Sequence, residues 1–323
     1  VIKVEELRAG YPTGFRRTWR DVLSGVSFHV PKGSITGYLG VNGAGKTTTI
    51  KIVVGVNPPS GGTVMVGGHP SGSDAAQRLV GYFPEAPFFY DALSGVELLG
   101  FFARINGIER AERTKRAEAL LEEVGLGDSK DVPINGYSKG MRQRLGLAQA
   151  LIHEPELLVL DEPLDGLDPM GRLHLRNLIV RQREQGRTVF FSSHVLSDVE
   201  AVSDRLVVLD GGKVAYDGLV EGITAGSPCV DVVLEASPDA IPDLEQAAGV
   251  KLEAGASREA GRRRFEALCQ DSLAADRLVT ATLQAQGRVD SIVPRRATLE
   301  EVFLQRFGEH EPKQQAEQEG EPS

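Results

Sequence analysis

A chain of 323 residues, 41% hydrophobic and 25% charged, has the balance of an ordinary soluble globular protein and is long enough for two domains. Its net charge of -9 argues against a chain built mainly to hold nucleic acid, and Cys229 and Cys269 fall in no metal or redox spacing, which fits packing roles in a reducing compartment. No apolar run approaches the roughly 18 residues of a membrane span, and the opening Val-Ile-Lys-Val-Glu does not read as a signal peptide.

In chain order, Val1 to Ala9 and Val22 to Val30 read as strands separated by a basic, aromatic loop from Tyr11 to Arg20. A buried strand from Ser34 to Leu39 runs into Gly40-Val-Asn-Gly-Ala-Gly-Lys-Thr-Thr48, and a helix opens after it. Short strands follow over Thr63 to Val66 and Leu79 to Phe83. From Ala92 to Gly127 the chain turns rich in Leu, Ala, Glu and Arg at helical spacing, a helical insertion. Ser138 is placed to cap a helix running to about His153, ahead of Pro155. Leu157 to Leu160 is apolar throughout, as a strand buried on both faces requires. Helix over Arg172 to Gln185, strand over Thr188 to Ser192, helix over Leu196 to Val202 and strand over Arg205 to Leu209 complete an α/β alternation, and Asp210-Gly211-Gly212 turns a hairpin.

Beyond about Gly222 the pattern restarts: strand over Cys229 to Glu235, helix over Pro238 to Ala248, strands over Val250 to Glu253 and Arg263 to Leu268, helix over Ser272 to Gln286 and strand over Val289 to Val293. This βαββαβ order suggests a small ferredoxin-like α+β module. Thr298 and Glu301 form a capping-box signal for a last helix, and residues 309–323, rich in Glu, Gln and Pro, are expected to be a disordered acidic tail.

The stretch from Gly40 to Thr48 fits the P-loop pattern at Gly40, Gly45, Lys46 and Thr47. Glycines at 40, 43 and 45 let the backbone curl so that N–H groups and a helix N-terminus face one anion; Lys46 then reaches terminal phosphates and Thr47 offers its hydroxyl to magnesium. Asp161 and Glu162 close a buried strand, so that one can hold the metal shell while the other accepts a proton from water. His194 follows the next strand and so falls on the same sheet edge, near the γ-phosphate.

With these motifs in this order, residues 1 to about 220 resemble the ATP-binding subunit of an ABC transporter: a P-loop NTPase ABC cassette with a RecA-like core. Tyr137-Ser138-Lys139-Gly140-Met141 resembles the family's signature, Asp161-Glu162 its Walker B pair, Leu164 to Asp168 its D-loop and His194 its switch histidine. The resemblance implies a cassette over residues 1–221 with its helical subdomain over about residues 88–155, an accessory domain over 222–308, and two cassettes paired head to tail around ATP and Mg2+. It places Tyr11, Gly40, Asn42, Gly43, Gly45, Lys46, Thr47 and Thr48 on the nucleotide, with Ser138 and Gly140 reaching it from the partner copy; Thr47, Glu85 and Asp161 attend the metal, and Lys46, Glu162 and His194 the chemistry. Two departures stand out: Lys139-Gly140-Met141 replaces the usual Gly-Gly-Gln after the signature serine, and Glu85 replaces the Q-loop glutamine. Phe15 and Trp19 are alternatives to Tyr11 for stacking on adenine. These departures and the C-terminal extension look like the exporter branch that moves drugs, lipids, polysaccharides or sodium. The resemblance therefore implies a cytoplasmic, transport-coupled ATPase, peripheral on the inner face of the membrane through a separate multi-span permease, with no nucleic acid partner expected. The rival is a soluble ABC ATPase acting on nucleic acid or ribosomes, which usually carries a long coiled-coil insertion or two cassettes in one chain, and neither is visible.

Overall fold

The computed structural model describes residues 1–13, 18–224, 228–255 and 263–307. Phe15 and the acidic tail 309–323 lie outside the described residues. Two compact units are present, Val1–Leu219 and a second beginning at Val220.

The first unit runs β1 (Ile2–Thr13), β2 (Thr18–Val30), β3 (Ile35–Leu39), α1 (Lys46–Val53), β4 (Gly61–Val66), β5 (His69–Pro70), α2 (Asp74–Leu79) and β6 (Val80–Phe83). Three helices follow, α3 (Gly95–Ile105), α4 (Arg110–Glu123) and α5 (Lys139–Leu151). The chain then alternates β7 (Leu157–Leu160), α6 (Pro169–Glu184), β8 (Thr188–Ser193), α7 (Leu196–Val202), β9 (Arg205–Asp210) and β10 (Lys213–Leu219).

The central sheet has the order β10-β9-β3-β8-β7-β6, parallel except at β10. Every residue of β3, β7 and β8 is buried, which explains their unbroken apolar or small-polar runs. A second sheet, β2-β1-β4-β5, is antiparallel and alternates exposed and buried positions along β2, burying Leu23, Val26, Phe28 and Val30 on one face. Phe28 from that sheet meets Tyr38 and Phe190 from the central one, joining the two layers through an aromatic cluster.

The structure corrects the expected loop from Tyr11 to Arg20. Tyr11 pairs with Arg20, Pro12 with Trp19 and Thr13 with Thr18, so β1 and β2 stay paired out to Thr13 and Thr18. Ladder pairing decides here against a composition poor in apolar residues. Helix α2, capped by Ser73 accepting the Ala76 N–H, and the short β5 were not foreseen, and the strand after α2 starts at Val80. α5 is capped as expected, with Ser138 Oγ accepting the Met141 N–H at 3.3 Å, and α3 begins with a reciprocal capping box between Ser94 and Glu97.

The second unit contains α8 (Val220–Thr224), β11 (Pro228–Ala236), α9 (Ile241–Ala248), β12 (Glu253–Ala254), β13 (Arg263–Cys269), α10 (Ser272–Gln284), β14 (Arg288–Arg296) and α11 (Leu299–Phe307). Its sheet has the antiparallel order β12-β13-β11-β14, a ferredoxin-like arrangement. Val232, Leu234, Phe265, Leu244 and Leu278 form its core, and both cysteines are free and buried, in keeping with packing roles. The strand expected over Val250 to Glu253 reduces to Glu253–Ala254, because Val250 and Leu252 pack on the core and the Leu252 N–H donates to Glu245 Oε1 rather than to a ladder. The Thr298–Glu301 capping box forms, and Arg295 joins Glu301 to Asp231. Among the described residues no helix is long and apolar enough to cross a membrane.

Candidate nucleotide site

Strands β3, β8 and β7 lie side by side and parallel, so the segments leaving their C-terminal ends converge on one edge. From β3 comes the glycine-rich turn. Gly43 and Gly45 take φ of 84° and 107°, and a Cβ on Gly45 would sit 2.6 Å from Leu23 Cδ2, so both backbone conformation and space require glycine there. Gly45 caps α1, whose first N–H groups have no intrahelical acceptor and carry the positive end of the helix dipole.

Lys46 is buried beneath this turn, its Nζ donating to the Gly40 carbonyl at 2.6 Å and lying 3.2 Å from Glu162 Oε1. Glu162 in turn accepts a hydrogen bond from His194 Nδ1 through Oε2 at 2.9 Å. Thr47 Oγ1 donates to Asp161 Oδ1 at 3.3 Å, and Ser192 Oγ donates to the same oxygen at 2.7 Å. Burial raises the Asp161 pKa most strongly; the Ser192 and Thr47 hydroxyls oppose that shift, and the charges of Glu85 and Glu162 add to it. Tyr82 is pushed up to about 12 by burial, with Asp161 and Glu85 contributing, so the charge of Glu85 is felt on both neighbouring strands.

Asp161 is 1% exposed and its Oδ2 has no hydrogen-bond partner, an expensive arrangement for a buried carboxylate oxygen. Beside the Thr47 hydroxyl this is an all-oxygen donor set suited to a hard divalent cation that takes its remaining ligands from phosphate and water. Among the described residues no cluster of three or more His, Cys, Asp or Glu side chains is arranged to hold a metal alone.

These groups front a cavity of about 860 Å3. Tyr11, Asn42, Gly43, Gly45, Lys46, Thr47, Thr48, Glu85, Glu162 and His194 line it, as do Arg20, Asp21, Val22, Asp165, Gly211 and Gly212, which sequence reasoning did not assign to it. Gly40 and Asp161 lie just behind the wall, reaching it through Lys46 and Thr47. The hydroxyl of Tyr11 donates to Thr48 Oγ1 at 3.1 Å, which fixes the ring beside the P-loop helix. Trp19 is 58% exposed, bonds Asp21 Oδ1 at 2.8 Å and stays off the cavity wall.

Ser138 and Gly140 do not join this cluster within one chain. They line a separate cavity of about 700 Å3 together with Lys139, Gly166 and Asp168. Ser192 was also missed as a site residue; its signal was a small polar side chain ending an apolar strand directly before Ser193 and His194.

A glycine-rich anion cradle, a buried lysine, a hydroxyl beside an unsatisfied carboxylate and a second carboxylate paired with histidine, all at the end of a parallel sheet, define a P-loop nucleotide site. Comparison with known proteins specifies it further. The model of the ABC transporter family matches residues 23–165. An uncharacterized ABC transporter ATP-binding protein of Synechocystis sp. is 41% identical over 238 residues, 73% of this chain and 67% of that protein. The daunorubicin resistance ATP-binding protein DrrA3 of Streptomyces coeruleorubidus is 34% identical over 295 residues, covering 90% of this chain and 92% of the relative. A solved ATP-binding subunit of an ABC transporter superposes with a TM-score of 0.62 at 32% identity, over 70% of this chain and 92% of its own. The chain belongs to the family of ABC transporter ATP-binding proteins, and its first unit is an ABC-type ATPase domain.

Proposed function

We propose that this chain hydrolyses MgATP between two copies of itself and drives a separate membrane permease in the direction of export. The observation that carries the chemistry is the line Lys46–Glu162–His194, in which one buried carboxylate is held at 3.2 Å and 2.9 Å by two cavity-lining groups. An incoming phosphate competes with Glu162 for the Lys46 ammonium, leaving the carboxylate to take the proton of an attacking water. His194, hydrogen-bonded to that carboxylate, orients it and faces the developing charge.

Thr47 and Asp161 would hold magnesium, with Glu85 at the rim of the cavity as a further oxygen donor. A cation held by these residues would supply charge neutralisation to the phosphates. Positioning and electrostatics account for most of the barrier lowered in such a reaction.

The separate placement of Ser138 and Gly140 supports a head-to-tail pair, since the helix N-terminus of α5 with its hydroxyl cap is then free to meet phosphate bound on another copy. The resistance function in the name of the Streptomyces relative supports export. A pore carried by a separate partner, with this chain on the cytoplasmic face of the membrane, is the reading that the description of the Synechocystis relative as an ATP-binding protein of an ABC transporter supports. For the second unit the reading is dimer support or regulation, and truncation near Gly222 that leaves both dimerisation and ATPase unchanged would remove it.

The test of the reading is a pull-down of the tagged chain from detergent-solubilised native membranes. A multi-span protein is the expected partner; recovery of only ribosomal or DNA-associated proteins would overturn the transport assignment.

A further inference from the structure

Ser192 is fully buried at the end of β8, and its hydroxyl touches both carboxylate-bearing residues of the neighbouring strand end. Its Oγ donates to Asp161 Oδ1 at 2.7 Å and accepts the backbone N–H of Glu162 at 2.9 Å. A hydroxyl has one proton and two lone pairs, so both bonds are satisfied at once and each fixes the direction of the other.

Glu162 needs such a hold. Its φ is 47°, in the left-handed region that a residue with a side chain occupies only when its surroundings impose it. Its N–H is buried and finds its acceptor in Ser192. From that conformation the side chain reaches Lys46 and His194 together. Thr47, the other donor to Asp161 Oδ1, is also the hydroxyl suited to a metal, so its donation to Asp161 is in competition with that role. Ser192 has no such second use.

The geometry points to Ser192 as a positioning residue for Glu162: one hydroxyl ties the backbone that presents the base to the Asp161 carboxylate, so that Glu162 and the residues that would hold a metal keep a fixed separation. The inference rests on the reading of Glu162 as the base of an ATPase. It explains why a polar side chain sits fully buried beside Phe190 and Phe191, where an apolar one would pack at less cost.

The test measures steady-state turnover, KM for MgATP and the stoichiometry of bound ATP analogue for the full chain and for Ser192→Ala and Ser192→Thr. Ser192→Ala is expected to lose about 10- to 100-fold in kcat, the scale set by a misplaced catalytic group, with KM and binding stoichiometry within about twofold of the parent. Ser192→Thr keeps the hydroxyl and is expected to recover kcat to within about threefold of the parent. Three results would overturn the inference: an alanine variant that turns over normally, a kcat loss matched by an equal loss of binding sites, or a threonine variant as slow as alanine at full stoichiometry. A parent chain that binds ATP without turnover would instead sink the ATPase reading, and the inference with it.

Discussion

Replacing Asp198 by alanine should loosen the cassette behind its catalytic edge. Asp198 is 1% exposed at the start of α7, where Arg176 from α6 donates to its Oδ1 through Nε at 3.0 Å and Arg172 lies 3.6 Å from Oδ2. The clamp ties the helix that follows Leu164 to Asp168 to the helix that follows His194. α7 also lies directly on the P-loop strand, since a Cβ on Gly37 would come 2.4 Å from Val199 Cγ1. Removing one partner of a buried ion pair costs about 3–5 kcal/mol. The two guanidiniums are 30% and 23% exposed and regain water, so about 2–3 kcal/mol is expected here. For a unit of this size that is a fall in Tm of about 4–12 °C, read by near-ultraviolet circular dichroism. Asp198→Leu combined with Arg172→Met and Arg176→Met should recover part of the loss, because an apolar replacement leaves no charge uncompensated. A single variant melting within about 1 °C of the parent would refute the reasoning that this pair carries stability.

Tyr11→Ala should weaken ATP binding by about 1–3 kcal/mol if the ring stacks on the base, whereas Tyr11→Phe, which loses only the hydroxyl's bonds with Thr48 and Asn57, should cost less; isothermal titration decides, and an alanine variant with parental affinity would remove Tyr11 from the site. In the second unit, the hydrogen bonds from Arg295 hold the Glu301 carboxyl below its ordinary value of 4.5. A depressed native pKa lends stability that is complete above the unfolded value and lost as the pH falls through the native one. Melting of the parent should therefore steepen in its decline below pH 4.5, and Arg295→Met should flatten that part of the profile; superimposable profiles would contradict the linkage.

Much of the site was legible because its motifs are local. Gly40 to Thr48 states its own turn, and the apolar runs before Asp161 and His194 announce strands buried on both faces, whose parallel order then brings their ends together. The capping residues Ser138 and Thr298 were equally readable, since a cap acts on residues three positions away. What escaped depends on partners remote in sequence. Ser192 bonds residues 30 and 31 positions earlier, and the Asp198 clamp crosses 22 positions between two helices. The outer pairs of β1 and β2, from Tyr11 with Arg20 to Thr13 with Thr18, read as loop in the sequence because they are held by cross-strand pairing rather than by an apolar face. At β12 the error ran the other way: Val250 and Leu252 have strand-like composition but spend it on core packing.

The most direct test of the central claim is the turnover of Glu162→Gln beside its ATP binding and self-association. Glutamine keeps the shape while removing the base, so ATP should bind at full stoichiometry and hold the chain as a stable dimer while phosphate release falls by about 100-fold or more. Turnover at the parental rate would contradict the assignment of Glu162, and bound ATP without dimers would contradict the pairing of two copies around the nucleotide.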